Sequence, residues 1–182
     1  MVFSMKKDRI EQLNRKITKT FHKKYGKIVF GHGKINARIM LIAEAPGRQE
    51  EIHGRPFVGR AGKVLDHALA KANIARNDVY VSNTIKFRPP NNRKPKRTEI
   101  EDFLPTLHEE IGIIKPKIIC LLGLTAIEAL LGKGYTIRDN NGKIIEKNGM
   151  RYLISYHPAA ILRNATLKPA FELSISKLEA FR

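Results

Sequence analysis

A single cysteine in 182 residues leaves no partner for an internal disulfide and no route to an all-cysteine metal site within one chain. No run of eighteen apolar residues occurs, so no segment reads as a membrane-crossing helix. The opening residues, MVFSMKKDRIEQL, hold no apolar stretch followed by a small-residue cleavage site, so no secretory leader is expected. With the lone cysteine, this points to a cytoplasmic protein. Acidic residues are scarce beside basic ones: 17 Asp plus Glu face 34 Lys plus Arg, a formal net charge of +17. Such an excess favours a polyanionic partner. No helical pattern sets a basic face against an aromatic-rich one, so a membrane surface fits less well than nucleic acid. The fingerprints G-x-G-x-x-G and G-x-x-x-x-G-K-[ST] are absent, which weighs against a Rossmann-like or P-loop nucleotide enzyme.

What is present is enough for a core, since 42% of residues are hydrophobic. Ile10, Leu13, Ile17 and Phe21 recur at the spacing of one helix face. Short β-like runs then alternate with helical ones. Residues 38–43 (RIMLIA), 79–87, 117–123 and 152–156 read as strands, the first buried on both faces. Residues 61–72, 98–112, 125–131 and 171–181 read as helices. T-E-I-E at Thr98 and T-A-I-E at Thr125 look like capping boxes, and Gly132 looks like a stop. Asn141-Gly142 and Asn148-Gly149 predict tight turns of a small antiparallel insertion before the last strand. The alternation predicts a three-layer α/β/α fold around a mostly parallel four-stranded sheet, with residues 1–182 forming a single domain.

In such sheets ligands sit beyond the carboxyl ends of the strands. Residues 44–47, 83–88, the loop after Gly123 and residues 157–163 all fall there. Glu44-Ala45-Pro46-Gly47 follows the first buried strand, and Pro46-Gly47 demands a sharp turn. A second Gly/Arg-rich stretch, Gly54 to Gly62, is expected to expose Phe57 just before a helix start. Backbone N–H groups and Arg60 there suit a phosphate. Asn83 offers an acceptor and two donors on one amide, a pattern that can read the hydrogen-bonding edge of a base. His157-Pro158 follows the last strand. Residues 86–97, KFRPPNNRKPKR, hold six Lys or Arg, three prolines and no acid, and predict an extended, positive loop for phosphate contact through Arg88, Arg93, Lys94, Lys96 and Arg97.

The stretches IAEAPGRQEEIHGRPFVGRAG (42–62) and YHPAAILRN (156–164) together resemble the two signature motifs of the uracil-DNA glycosylase superfamily. The version is most similar to the iron–sulfur family of thermophilic bacteria and archaea. The resemblance implies uracil-containing DNA as partner and a monomeric enzyme that hydrolyses the N-glycosidic bond without cutting the strand. It also implies site roles. Phe57 stacks on the flipped base, with Ala45 and Gly47 beside it. Glu50 stands against uracil C5 and excludes the thymine methyl. His157 donates to uracil O2 as charge develops there, a contribution of about 3 kcal/mol for such a donor. Residues 159–164 form the loop that enters the minor groove, with Ile161 or Leu162 as wedge and Arg163 on a phosphate. An aspartate that orients water in the best-known family is replaced by Ala45, leaving Glu44 as the nearest carboxylate.

The resemblance breaks at the cluster. Its four cysteine places fall near Lys16 and Lys19, at Phe87 and near Phe103, none of which ligates iron. A cofactor-free relative is therefore expected, with the phenylalanines filling the vacated volume and Cys120 acting as a small apolar core residue. Two alternatives stay open: excision of another deaminated base such as hypoxanthine or xanthine, and a non-catalytic nucleic-acid-binding paralogue.

Overall fold

The computed structural model describes residues 2–182, with side chains from Met5 onward. Helix α1 (Val2–Tyr25) leads into a short edge strand β1 (His32–Gly33) and then β2 (Ile39–Ala43). All five residues of β2, IMLIA, are buried, because a strand covered on both faces needs apolar side chains at odd and even positions alike. Helices α2 (Arg48–His53) and α3 (Arg60–Lys71) precede β3 (Val79–Asn83). Then come α4 (Arg97–Ile114), β4 (Ile118–Leu122), α5 (Leu124–Leu131) and α6 (Ile137–Asn140). The hairpin β5 (Ile144–Lys147) and β6 (Met150–Ser155), followed by α7 (Pro158–Arg163) and α8 (Lys168–Ser176), completes the order.

The strands form one sheet in the order β1-β3-β2-β4-β6-β5. The inner four run parallel, as expected. Both edges are antiparallel, which widens the predicted four-stranded sheet to six. The β5–β6 turn holds Asn148 at φ 52° and Gly149 at φ 73°, the paired left-handed conformations that match hairpin twist. One face of the sheet is covered by α1, α4 and α5, the other by α3, α7 and α8.

Several boundaries depart from the sequence pattern. Strand β3 stops at Asn83; Thr84 N–H and Ile85 N–H still reach the oxygens of Ala43 and Glu44 at 2.7 and 3.2 Å, but the chain then turns away. Helix α4 starts two residues earlier than a Thr98 cap implies. Lys96 is its N-cap, and Glu99 Oε2 accepts from Lys96 N–H at 2.7 Å. Thr125 lies inside α5, whose N-cap is Gly123, so its hydroxyl is free for another partner. Residues 159–163, expected as a loop, are helical in α7, where Pro158 at the first turn needs no N–H partner.

On the α1–α4 face, four rings pack into one seam. Phe21 and Phe103 centroids lie 4.4 Å apart, and Tyr25 stacks on Phe87 at 4.2 Å. The Tyr25 hydroxyl donates to Asp102, which also takes Lys24 Nζ at 2.6 Å.

Candidate active site

The carboxyl ends of β2, β3, β4 and β6 open into a cleft of about 450 Å³. All four segments expected at the strand ends contribute to it: Glu44–Gly47, Asn83, Gly123–Leu124, and Tyr156 to Arg163 in part. Its volume suits a single nucleobase with its sugar.

His157 is the N-cap of α7. Its Nδ1 accepts the N–H of Ala159 at 3.0 Å, which fixes the tautomer with the proton on Nε2. Burial, and secondarily the positive charge of Arg163, push its pKa down from 6.5 to about 4. At neutral pH the ring is therefore uncharged and its remaining nitrogen is a donor. Gly123, at φ 96°, lies against it, and a Cβ there would stand 3.2 Å from His157 Cβ.

Phe57 is only 8% exposed, so the sequence expectation of an exposed ring is corrected: the ring belongs to the core of the α3 face and shows one part to the cleft. Its ring centroid is 5.9 Å from that of His157. The backbone is left-handed at φ 57°, a conformation uncommon outside glycine and typical of held functional loops. Gly62 makes this possible, because a Cβ at Gly62 would stand 1.8 Å from the Phe57 oxygen.

Asn83 is 3% exposed and lines the cleft, and its side-chain amide makes no hydrogen bond to the protein among the described residues. The little surface it keeps faces the cleft, so the amide is free to meet a ligand there. Glu44 Oε2 accepts the Thr125 hydroxyl at 2.5 Å, leaving Oε1 for a further partner. Thr125 was read in the sequence as a cap; only the return of β4 beside β2 brings it to Glu44. Glu50 lines the cleft, but both its oxygens are taken, by Gly47 N–H at 3.1 Å and Gly59 N–H at 2.9 Å. It staples the motif loop closed. Ala45 and Gly47 line the same wall.

The expected DNA-contacting residues divide. Ile161 is 6% exposed and packs into the core, so it is not a wedge; Leu162 is 42% exposed and is the free apolar side chain of α7. Arg163 reaches the cleft, and Arg60 is exposed at the start of α3. The segment 86–97 is not the uniformly free cationic loop expected. Lys86 is buried against Glu110. Arg88 pairs with Glu51, Arg93 with Glu99 through two nitrogens, Lys94 with Glu128 and Arg97 with Glu101. Lys96 alone of the five predicted phosphate contacts has no ion pair among the described residues, and it is exposed.

The four cluster places do not fit an iron–sulfur group. Lys16 Nζ is bound to Glu109 at 2.6 Å, and Phe87 and Phe103 are 3% and 0% exposed within the aromatic seam. Among the described residues, no group of three or more His, Cys, Asp or Glu is arranged to hold a metal. Cys120 is fully buried in β4, and burial pushes its thiol well above the usual range. No described helix is long and apolar enough to cross a membrane.

Residues 30–179 match the family described as the Uracil DNA glycosylase superfamily. The chain is similar to the Type-4 uracil-DNA glycosylase of Pyrobaculum aerophilum, with 39% identity over 163 residues covering 85% of this chain and 83% of the relative. It is 40% identical to that of Thermotoga maritima over 139 residues, 75% of this chain and 72% of the relative. A Type-5 uracil-DNA glycosylase of Pyrobaculum aerophilum shares 28% identity over 154 residues, 75% and 68% of the two chains.

Proposed function

The chain belongs to the uracil DNA glycosylase superfamily, and from that premise we propose how its residues divide the work of excising uracil from DNA. The carrying observation is the convergence, in one cleft, of an amide open to a ligand, a held aromatic ring and a neutral histidine with its proton on Nε2.

A uracil turned out of the duplex enters beside Phe57 and is held by the apolar part of that ring. The Asn83 amide oxygen accepts uracil N3–H while its nitrogen donates to O4. Cytosine presents an acceptor and a donor at those places, the reverse pattern. Glu50, tied at both oxygens, keeps the motif loop as a fixed wall, and a rigid wall excludes the thymine methyl. As the bond between C1′ and N1 breaks, its electron pair passes to the base. His157 Nε2–H then donates to O2, where that charge collects, and the fixed cap on Nδ1 means little reorganisation is needed. Glu44, with Oε2 held by Thr125, offers Oε1 to an incoming water, whose oxygen joins C1′ as the carboxylate accepts its proton. Transfer of that proton from the Glu44 carboxyl to the uracil anion, through solvent, restores the carboxylate and gives the products, free uracil and an abasic site. No lysine lines the cleft among the described residues, which supports hydrolysis without a Schiff base and without strand cleavage. Leu162 fills the gap left in the stack, and Arg60, Lys96 and Arg163 face the phosphates.

The aromatic seam supports a protein that works without an iron–sulfur cluster. Purified chain should be colourless and free of stoichiometric iron; brown protein with bound iron would refute that part. For the reaction, labelled duplexes bearing uracil, hypoxanthine or xanthine are incubated and treated with alkali. Cleavage at uracil only after alkali is expected. Scission without alkali would overturn the monofunctional assignment, and cleavage at hypoxanthine or xanthine in preference to uracil would overturn the assigned base.

A further inference from the structure

The segment that carries Asn83 to the cleft is fastened from behind by a buried, charged cluster. Lys86 is 1% exposed and Glu110 2%, with Nζ 2.6 Å from Oε2. A lysine ammonium has three N–H donors. Here they go to Glu110 Oε2, to Ser82 Oγ and to the main-chain oxygen of Asn83 at 3.0 Å. Glu110 in turn accepts the Tyr80 hydroxyl at 2.9 Å and the Ser82 hydroxyl at 2.8 Å. Burial and the neighbouring carboxylate raise the Tyr80 pKa well above its usual value, so that hydroxyl stays a donor. Gly31 seals the cluster: a Cβ there would lie 2.2 Å from Glu110 Oε1 and 2.6 Å from the Tyr80 oxygen.

For stability alone this arrangement is a poor choice. Burying two charges costs several kcal/mol per ion in desolvation, and an apolar pair of similar volume often stabilises as well or better. What an apolar pair cannot supply is a directed N–H at the carbonyl of Asn83. That bond sits at a place where aim matters. The Asn83–Thr84 peptide is pinned on one side by Lys86 and on the other by Thr84 N–H to Ala43 O at 2.7 Å. The Asn83 side chain makes no hydrogen bond to the protein among the described residues, so its backbone and the packing around it aim it. Alternation along β3 puts Tyr80 and Ser82 on the α4 side and Asn83 on the other, so the cluster reaches the reader through the strand.

We propose that Lys86 and Glu110 are positioning residues for uracil recognition, clamping the Asn83 peptide from behind the sheet so that its amide meets the flipped base in register. The proposal rests on Asn83 being the base reader. Loss of the clamp leaves the reader present but loosely aimed, and misplacement of about 1 Å can cost roughly a hundredfold in rate.

A double-mutant cycle tests it. Wild type, Asn83→Ala, the pair Lys86→Met with Glu110→Gln, and the triple variant are compared by single-turnover excision of uracil, binding to abasic duplex and thermal melting. Glutamine keeps an acceptor for Tyr80, and methionine fills the lysine volume without a charge. In the wild-type background the pair should slow uracil excision by roughly 10- to 100-fold, with abasic-site binding unchanged. In the Asn83→Ala background the same pair should have little further effect, because it acts through the residue already removed. An equal loss in both backgrounds would overturn the proposal and leave the cluster a packing feature. If Asn83→Ala excises uracil at the wild-type rate, the reader itself is misassigned and the proposal falls with it, a result distinct from additivity. Should the pair melt below the assay temperature, Glu110→Gln alone, which removes the charge and one of the two acceptor oxygens, runs the same cycle to the same two outcomes.

Discussion

Asn83 and Phe87 are four residues apart and almost equally buried, yet they belong to opposite kinds of structure. Asn83 opens into the cleft with its amide unpaired, beside a histidine whose tautomer is fixed and a phenylalanine held at positive φ. Phe87 closes a seam with Tyr25 and Phe103 in which rings stack, and the one polar group, the Tyr25 hydroxyl, is satisfied by Asp102. A site keeps its hydrogen-bonding groups unmatched until a ligand arrives; a seam matches everything it buries. The difference explains how one segment departs from the cluster pattern at Phe87 while still lining the cleft at Asn83. The two features lie on different faces of the sheet and share only the segment that joins them.

The comparison is broken most severely in the seam. Phe103→Ala removes a fully buried ring from the junction of α1 and α4 and should cost about 3–5 kcal/mol of stability. Chemical denaturation would measure that loss, while single-turnover excision per folded molecule stays at the wild-type value. A selective loss of rate in a fully stable variant would show that the seam is part of the site.

The complementary change is His157→Ala. Removing an oxyanion-type donor should lower the single-turnover rate about 10²–10³-fold, with binding to abasic DNA retained. Wild-type protein should also show a flat rate through pH 6.5, falling only as pH approaches about 4, the value to which burial has pushed the ring. The sign is set by linkage. The folded ring releases its proton at lower pH than the unfolded one, so its contribution to stability is complete above about 6.5 and is lost as pH falls towards about 4. A rate inflection near pH 6.5 would mean the ring is solvated and the donor not preorganised.

Phe57→Ala should be milder, weakening capture of the flipped base by roughly 1–3 kcal/mol. The defect would appear as a higher enzyme concentration for half-maximal single-turnover rate, with the plateau little changed. A collapse of the plateau instead would mean that the ring orients the reacting base as well as holding it.

The smallest effect separates cations that look alike in sequence. Lys96→Ala should flatten the dependence of log affinity on log salt by roughly 0.9, one phosphate contact on B-DNA. Arg93→Ala should leave that slope nearly unchanged and lower the melting temperature, because it strips the Glu99 carboxylate that caps α4 of its bidentate partner. Equal slopes for the two variants would return the whole loop to the DNA surface.

The cleft was legible because its parts follow strand ends. Three apolar runs lead to Glu44, Gly123 and His157, and Asn83 was read inside a strand near its carboxyl end, which puts all four towards one edge of any parallel sheet. Segment 86–97 was legible only as charge. Its three lysines and three arginines read alike as charge, and the carboxylates that claim Lys86, Arg93 and Arg97 lie on α4, 24, 6 and 4 residues on. Ile161 and Leu162 were likewise a pair in sequence. A helix separates them by about 100° of rotation, so one enters the core and one faces out, whereas a loop would leave both open.

Composition and periodicity alone determined the α/β alternation, the excess of positive charge, the single cysteine and the identity of the residues near the strand ends. These are properties of local propensity and covalent content, which the chain carries before it folds. Tertiary structure decided which nitrogen of His157 keeps its proton, that Thr125 holds Glu44, that Phe57 is pinned by the missing Cβ of Gly62, and that Lys86 turns inward to Glu110. Each of those depends on atoms brought within about 3 Å from distant parts of the chain, and hydrogen bonding and close packing are decided at that range.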